Sequence, residues 1–407
     1  MGKLIVVVLD GMGDLPTPIL KGKTPLEDAE TPNMDYFTEK GALGLLKIFK
    51  IDHEDFIRAN GSNFGYITLM GSDPRQTSWK RGPIEAIGGG MDFKKGDLAV
   101  RFNFGYCDER GIVVDRRAGR ISNEEAEKYI EEIKEKLSYS KDYEIKSLLS
   151  HRGGLIIKSN QKLGEEITES DPLKEGYRIG IPKPLNNKEE NIRSANLLRV
   201  FEEQVDKILK NTKLNQGRLT KGGYPVNCIL TRGAGTDIPE LPDHSDFAAI
   251  ATSPVEKGIC KISNMKLLGL EQPTDKAEDD INETLEILKK NYDNHNKLFI
   301  IIKAPDTAGH DGQSMKKKEI FEMIDKTIFN FLKEKINLNQ DILCVTADHA
   351  TPVIMKRHYP EPIPLMITGK IKPDESNKFS EKQCQEGSLG TMWGYDLMKT
   401  LHKFYRD

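Results

Sequence analysis

The sequence predicts an α/β protein built around a mainly parallel β-sheet that is flanked by helices. Three apolar, β-favouring runs carry this prediction, at residues 4–9, 298–302 and 342–346. Each run is continuously apolar rather than alternating, as expected for a strand that is buried on both faces of a parallel sheet. A fourth run, 226–230, has the same character. Amphipathic helical patterns at 123–137, 191–210 and 282–290 separate the strands.

Polar residues that can bind metal ions follow each of the three runs within a few positions. Asp10 follows the first run, Asp306 and His310 follow the second, and Asp348 and His349 follow the third. Ligands of open α/β sheets bind at the carboxyl ends of the strands. We therefore expect these side chains to converge on one site.

The middle of the chain differs from the rest. Residues 143–158 hold short strands with a polar turn at His151 and Arg152, and the segment 181–187 is rich in turn residues. We therefore expect a smaller α+β domain, 106–187, inserted into a main domain formed by 1–105 and 188–407. The run Lys316–Lys318 is interpreted as a solvated helix face.

The composition is that of a globular protein without a global charge bias. The 407 residues are 37% hydrophobic and 30% charged, with a net charge of −3, so no nucleic-acid or membrane partner is expected. The five cysteines have no metal-binding spacing and fit reduced core thiols. The apolar start of the chain is a buried strand rather than a signal peptide, and we expect a cytoplasmic protein.

The polar residues after the strands leave two interpretations open. Asp306 and His310, four residues apart, can bind one ion from a helical turn or can simply be a satisfied polar turn. His358 lies nine residues after His349 and could be a ligand or a surface histidine. Carboxylates and imidazoles without sulfur suit Mn²⁺, Zn²⁺ or Mg²⁺.

Two further residues could take part in this chemistry. Asp10 could be a ligand or a helix cap. Ser62, between small residues, could open a helix as an N-cap, or its exposed hydroxyl could become a nucleophile beside a metal ion.

The order and spacing of these residues resemble the alkaline phosphatase superfamily. Five flanking segments more narrowly resemble its archaeal-type cofactor-independent phosphoglycerate mutases. These segments are 24–35, 81–86 (Arg-Gly-Pro-Ile-Glu-Ala), 115–120 (Asp-Arg-Arg-Ala-Gly-Arg), 231–235 (Thr-Arg-Gly-Ala-Gly) and 347–352 (Ala-Asp-His-Ala-Thr-Pro). The resemblance extends from the first strand to His358.

The resemblance implies an alkaline-phosphatase-like fold with two divalent metal ions, most simply Mn²⁺, with Zn²⁺, Mg²⁺ or Co²⁺ as alternatives. One ion would be held by Asp306, His310 and His358. The other would be held by Asp10, Ser62, Asp348 and His349. Ser62 would take the phosphoryl group from 3-phosphoglycerate and return it to the 2-hydroxyl, without bisphosphoglycerate. The inserted domain would close over the substrate as a cap that excludes water.

The substrate implied by the resemblance, a small phosphorylated metabolite, needs cationic side chains. Arginine's planar fork binds carboxylate and phosphate in a bidentate way. The strongest candidates are three arginines of the segment 115–120, and the weaker ones lie elsewhere. In order, they are Arg116, Arg117, Arg120, Arg81, Arg101, Arg152, Arg232 and Lys257.

The segment around Ser62 departs from the family pattern. Asn63 stands where an acid is typical, and Tyr66 stands where a histidine is typical. An amide is no base, and a phenol is a poor proton carrier at neutral pH. Besides the mutase, two alternatives remain open at this point. They are a related phosphotransferase or phosphohydrolase with another substrate, for example one like homoserine kinase, and a homologue that binds without turnover.

Overall fold

The computed structural model describes residues 2–48, 54–73, 75–77, 79–138, 140–269, 274 and 276–406, with 54–60 and 140 in their backbone only. The chain forms two compact units. The first unit comprises Met1–Thr77 and Glu240–Asp407, and the second unit comprises Ser78–Pro239. No helix among the described residues is long and apolar enough to cross a membrane.

The amino-terminal part of the first unit begins with the first predicted strand. Its elements are β1 (Leu4–Leu9), α1 (Pro25–Asp28), α2 (Pro32–Thr38), β2 (Gly41–Lys47) and α3 (Glu54–Leu69). Helix α1 starts at a capping box, in which the Thr24 hydroxyl accepts from the Glu27 N–H and the Glu27 carboxylate accepts from the Thr24 N–H.

The second unit is an α+β structure with an antiparallel sheet. Its elements are α4 (Arg81–Gly88), β3 (Leu98–Cys107), β4 (Val113–Asp115), α5 (Asn123–Lys136), β5 (Tyr143–Leu149), β6 (Arg152–Ile157), α6 (Glu189–Lys210), α7 (Leu214–Thr220) and β7 (Cys228–Gly235). Its described strands run in the order β4-β3-β6-β5, and β7 pairs antiparallel with β3.

The interpretation of 226–230 as a strand of the parallel sheet is therefore wrong. Strand β7 is continuously apolar at its start because both faces of the antiparallel sheet are covered there. Ile229 packs into the core beneath α5 and α6, while Cys228 and Leu230 pack with Cys107 on the opposite side. Continuous burial shows that a strand is covered, and it does not show the direction of its neighbours.

Strand β3 separates the apolar and polar faces of this sheet. Leu98, Val100, Phe102 and Phe104 enter the core formed with α5 and α6. The alternate residues of the strand point to the other face, where α4 packs against Ala99. This alternation places Arg101 on the face opposite the core.

The second unit is larger than the predicted insert of 106–187. It includes β3 and β7 as well as α6, whose Leu198, Phe201 and Val205 belong to the same core as Phe102. An amphipathic pattern predicts a helix with one buried face. It does not identify the sheet that covers that face, so the pattern alone could not assign α6 to a unit.

The carboxyl-terminal part of the first unit supplies most of the large sheet. Its elements are β8 (Ala248–Ile250), α8 (Pro254–Ile262), β9 (Lys266–Leu267), α9 (Ala277–Asn291), β10 (Lys297–Ile302), α10 (Ala304–Asp311), α11 (Ser314–Ile324), α12 (Asn330–Lys335), β11 (Ile342–Thr346), β12 (Ile363–Thr368), α13 (Glu381–Glu386), β13 (Gly390–Trp393) and α14 (Leu397–Arg406). A π-helical segment, Asp325–Phe329, joins α11 to α12.

The predicted mainly parallel sheet is confirmed. Within the described part of the chain, eight strands run in the order β13-β2-β12-β11-β1-β10-β8-β9, and only the pairings of β12 with β11 and β2 are antiparallel. The three predicted strands lie side by side at its centre, with β1 between β10 and β11 and parallel to both. Their carboxyl ends therefore meet at one edge.

Candidate active site

The candidate site lies at the carboxyl ends of the three central strands. Asp10 follows β1 directly, Asp306 and His310 lie on α10 just after β10, and Asp348 and His349 follow β11. Because β1 pairs in register with both neighbours, the three ends are adjacent. Sheet order alone thus brings together residues that are more than 300 positions apart in the chain.

The first group of potential ligands consists of Asp10, Asp348 and His349, all fully buried. The His349 Nε2 atom lies 3.2 Å from Asp348 Oδ2 and 3.6 Å from Asp10 Oδ1. Ser62 joins this group, because its Oγ lies 3.1 Å from His349 Nε2. Three oxygens from three side chains therefore lie within 3.6 Å of one imidazole nitrogen.

The second group consists of Asp306, His310 and His358. The two imidazole Nε2 atoms lie 3.1 Å apart, at 3.4 Å and 3.7 Å from Asp306 Oδ1. His358 is therefore brought next to Asp306 and His310 and is not an isolated surface histidine. Its ring also lies 4.0 Å from the His349 ring between centroids, which places the two groups side by side.

The tautomer of His349 suits metal binding. The Thr351 hydroxyl donates its one hydrogen to Asp306 Oδ1 at 2.7 Å, since a carboxylate can only accept. Its oxygen must then accept from His349 Nδ1, 3.1 Å away. The Nε2 atom is left with its lone pair, directed at Ser62 and the carboxylates.

The carboxylates of the first group also fit a cation. Asp10 Oδ1 and Asp348 Oδ2 are buried and have no hydrogen-bond partner among the described residues. Burial raises the pKa of Asp10 to about 7, although Lys303 opposes the shift, and burial and Asp10 raise the pKa of Asp348. Two buried carboxylates that resist ionisation together are what a divalent cation stabilises.

Ser62 does not open a helix, contrary to the prediction. It lies inside α3, which begins at Glu54, and its side chain is buried rather than exposed. The small residues around it serve close packing, because a Cβ added at Gly65 would collide with the backbone oxygen of Asp348. The neighbouring Asn63 is fully buried, and no described residue bonds to its amide.

The site contains two further residues, Tyr66 and Lys303, that sequence reasoning did not assign to it. The Tyr66 hydroxyl donates to Asp10 Oδ2 at 2.6 Å. The Lys303 ammonium bridges the two groups, at 2.9 Å from Asp10 Oδ2 and 2.8 Å from Asp306 Oδ2. Although burial opposes it, Asp10 and Asp306 raise the pKa of Lys303. The sequence signal that could have identified Lys303 was its position directly before α10.

Lys317 corrects the interpretation of 316–318 as a solvated face. Its side chain is fully buried, and its ammonium donates to Asp14 Oδ2 at 2.8 Å, to the Gly11 oxygen at 2.8 Å and to the Thr351 oxygen at 3.0 Å. It thus ties the turn after β1 to the turn after β11. Lys316 and Lys318 remain partly exposed.

The second unit carries a cluster of the predicted arginines around Glu85, on the polar face of its sheet. Glu85 Oε1 accepts from Arg81 Nε at 2.6 Å and from Arg101 Nη1 at 2.7 Å. Burial alone would raise the pKa of Glu85, but Arg101 and the other guanidiniums outweigh it and lower the pKa to about 2. The positive charges of Arg152 and Arg232 also lower the pKa of Glu85. The cluster is strongly positive around one buried carboxylate.

The three arginines of 115–120 line one cleft but differ in exposure. Arg116 forms a bidentate pair with Asp171, at 2.8 Å and 2.6 Å, and Arg232 lies 3.4 Å from the same carboxylate. Arg117 and Arg120 are exposed and line an open cleft of about 400 Å³ together with Arg116. The cleft offers cationic side chains to an anion.

His151 and Lys257 occupy different surroundings. His151, on the turn before β6, is buried, and burial together with Arg152 and its neighbours lowers its pKa to about 2. Lys257 lies on α8 in the first unit and is half-buried. Lys257 therefore lies in the first unit, whereas the predicted arginines lie in the second.

Comparison with known proteins shows which family this chain is similar to. A family model for 2,3-bisphosphoglycerate-independent phosphoglycerate mutase matches residues 39–215. A protein of that name from Methanopyrus kandleri is 34% identical, over 98% of this chain and 95% of its own length. One from Methanocaldococcus jannaschii is 35% identical, over 98% of this chain and 96% of its own.

Two solved structures share the fold over the full chain. The PH0037 protein from Pyrococcus horikoshii is 25% identical with a TM-score of 0.79, covering 100% of this chain and 97% of its own. A cofactor-independent phosphoglycerate mutase from Thermoplasma acidophilum is 27% identical with a TM-score of 0.64, covering 100% of both chains.

Proposed function

Because the chain belongs to the family of 2,3-bisphosphoglycerate-independent phosphoglycerate mutases, we propose that it interconverts 3-phosphoglycerate and 2-phosphoglycerate through a phosphoserine at Ser62. One observation carries the assignment of the serine. The buried Oγ atom of Ser62 lies 3.1 Å from His349 Nε2, the ring nitrogen that carries a lone pair, beside the carboxylates of the first group. This position beside potential metal ligands supports the proposal that Ser62 accepts the phosphoryl group.

Two divalent ions would be held by the two groups. Asp10, Ser62, Asp348 and His349 would hold one, and Asp306, His310 and His358 would hold the other. When bound, the ions would lower the pKa of the serine hydroxyl and neutralise charge on the transferring phosphoryl group. Mn²⁺ is our choice, because oxygen and imidazole donors without sulfur suit it.

The side chains around the ligands fix their orientation. Thr351 holds His349 in the tautomer whose Nε2 faces Ser62, and Tyr66 holds the Asp10 carboxylate. The Lys303 ammonium adds a fixed positive charge between Asp10 and Asp306. Such preorganised charge favours a transition state in which negative charge is spread over the phosphoryl oxygens.

The arginine cluster of the second unit would bind the carboxylate of the glycerate. Arg81 and Arg101 are held by Glu85, and Arg116 and Arg232 by Asp171, so their guanidiniums are preoriented. A carboxylate bound by such guanidiniums can stay in place as the hydroxyl groups exchange positions. Retention of the glycerate distinguishes a mutase from a phosphatase.

The small phosphorylated metabolite is the partner that this chemistry requires. A cytoplasmic location agrees with five cysteines that are free and buried. The proposed reaction needs no phosphorylated cofactor such as bisphosphoglycerate, because Ser62 itself stores the phosphoryl group.

A coupled isomerase assay tests the proposal. We expect conversion of 3-phosphoglycerate with Mn²⁺ and without bisphosphoglycerate, lost in Ser62→Ala and kept in Ser245→Ala, whose hydroxyl is exposed and bonds only to Asp243 among the described residues. Phosphate release without isomerisation would instead show a phosphohydrolase. Equal activity of the Ser62 variant and the wild type would reject the serine.

A further inference from the structure

The second unit contains a buried acceptor that its own side chains do not satisfy. We propose that Asn103 recognises a free hydroxyl group of the glycerate, which makes it a specificity-determining residue of the arginine cluster. The inference rests on the proposed function, because it takes the ligand of the cluster to be a hydroxylated carboxylate. Arginine can only donate to a hydroxyl group, whereas the Asn103 amide oxygen can accept the hydroxyl hydrogen.

Strand pairing places Asn103 among the arginines. It lies two residues after Arg101 on β3, so both side chains leave the strand on the polar face. Its partner across β6 is Arg152, and the partner of Arg101 across β7 is Arg232. Asn103 is 3% exposed, so solvent contributes little to its side chain.

The orientation of the Asn103 amide is fixed by the chain. Its Nδ2 donates to the backbone oxygen of Arg116 at 3.3 Å. A backbone oxygen can only accept, so the reverse orientation of the amide would set two acceptors against each other. The Oδ1 atom is therefore the free end, and it has no hydrogen-bond partner within the described ranges.

Two donors on the same face are also unsatisfied. The Nε–H groups of Arg101 and Arg232 are buried and find no acceptor in the described part of the chain. Buried polar groups of native proteins are nearly always paired, and leaving one unpaired is costly. Two donors and one acceptor without partners on one sheet face indicate a missing ligand.

The chemistry of the unpaired groups specifies that ligand. Arginine offers donors only, so the two guanidiniums can bind a carboxylate but cannot accept from a hydroxyl. Asn103 Oδ1 can accept, and it needs an O–H or N–H. A hydroxylated carboxylate supplies both kinds of group, whereas a plain carboxylate would leave Asn103 unsatisfied.

Removal of single hydroxyls from the ligand tests the inference on the Mn²⁺-loaded full-length enzyme. Calorimetry would compare D-glycerate with 3-hydroxypropanoate, which lacks the 2-hydroxyl, and with D-lactate, which lacks the 3-hydroxyl. None of the three carries a phosphoryl group, so no turnover interferes. We expect the wild type to bind D-glycerate about tenfold tighter than at least one of the other two, the effect of one lost hydrogen bond.

The variant Asn103→Leu removes the acceptor and the Nδ2 donor, while it keeps the number and branching of the side-chain heavy atoms. It should bind D-glycerate as weakly as the wild type binds the affected monohydroxy acid, and it should no longer distinguish the two. Asn103→Ala, measured in parallel, should lose the same preference if the leucine variant does not fold. The control is Ser147→Ala on β5, since the Ser147 hydroxyl is also buried without a described partner but shares the face of the core residue Ile145.

The outcomes separate this inference from the proposed function. A wild type that binds all three acids equally, or Asn103 variants that keep the full preference, would overturn the role of Asn103 even if isomerase activity is present. Loss of the preference in the Asn103 variants alone would support it, even if the isomerase assay fails. A loss that also appears in Ser147→Ala would show a general disturbance of the sheet and would overturn the assignment.

Discussion

The hydroxyl of Tyr66 donates a hydrogen bond to Asp10 Oδ2 over 2.6 Å, and both side chains are fully buried. Burial and the negative charge of Asp10 raise the pKa of Tyr66 above its usual value, so the phenol stays protonated. Tyr66 therefore holds a carboxylate of the first group in place through its phenol O–H. The residue that departs from the family pattern has a structural task beside the proposed metal ion.

Replacing Tyr66 by Phe should weaken metal binding more than catalysis. Loss of a hydrogen bond to a buried carboxylate costs about 1–3 kcal/mol, so we expect the metal concentration for half-maximal activity to rise roughly tenfold or more. The rate at saturating metal should recover most of its wild-type value. Activity against Mn²⁺ concentration measures both quantities.

Tyr129→Phe is the matched control, because Tyr129 is also buried and donates to one amide oxygen, that of Asn215, at 2.8 Å. That bond lies in the second unit and should leave the metal dependence unchanged. An unchanged metal dependence in Tyr66→Phe would contradict the assigned role.

Substitution of Lys317 by Met should destabilise the protein strongly. The change leaves the fully buried Asp14 carboxylate without its ion pair, and breaking a buried pair from one side costs about 3–5 kcal/mol. Chemical denaturation measures the free energy of unfolding. Lys316→Met, one residue away and half-exposed, should change it by less than about 0.5 kcal/mol. Similar losses in both variants would show that burial of Lys317 is not what matters.

Lys317 also shows where sequence reasoning stops. The strands, their parallel order and the polar residues at their ends follow from local patterns, because buried strands are continuously apolar and ligands gather at their carboxyl ends. A lysine on an amphipathic helix matches a solvated face equally well whether or not a distant turn presents oxygens to it. Only the packing of α11 against the turns after β1 and β11 shows that this lysine is buried.

The second unit was the harder part to predict for a similar reason. Its boundaries depend on which sheet α6 covers, and α6 reaches the core of Phe102 through contacts that span about 100 residues of sequence. The role of Asn103 depends on the pairing of β3 with β6 and β7. Local propensity specifies neither, since both are decided by long-range pairing.

Glu202 should make the stability of the protein fall with pH. Burial raises its pKa to about 8 from 4.5, although hydrogen bonds from Thr231 and Ser170 oppose the shift. The folded state therefore binds more protons than the unfolded state between these values. The free energy of unfolding consequently falls as the pH rises through this range, by at most about 1.4 kcal/mol per pH unit from this group.

The variant Glu202→Gln tests this pH dependence, because glutamine keeps an acceptor for both hydroxyls and does not ionise. Relative to the wild type, it should become more stable as the pH rises from about 6 to about 9. The exposed neighbour Glu203→Gln should show a much smaller trend, because the Glu203 charge is a minor cause of the raised Glu202 pKa. A stability difference between Glu202→Gln and the wild type that does not change with pH would contradict the prediction.

The role of Ser62 is best tested by locating the phosphoryl group during turnover. The Mn²⁺-loaded enzyme is mixed with 3-phosphoglycerate, quenched within the steady state, digested and mapped by mass spectrometry. A phosphoserine intermediate requires a phosphorylated peptide modified at Ser62, in a sample that also forms 2-phosphoglycerate. Isomerisation with Ser62 unmodified, or with the phosphoryl group on a different side chain, would contradict it.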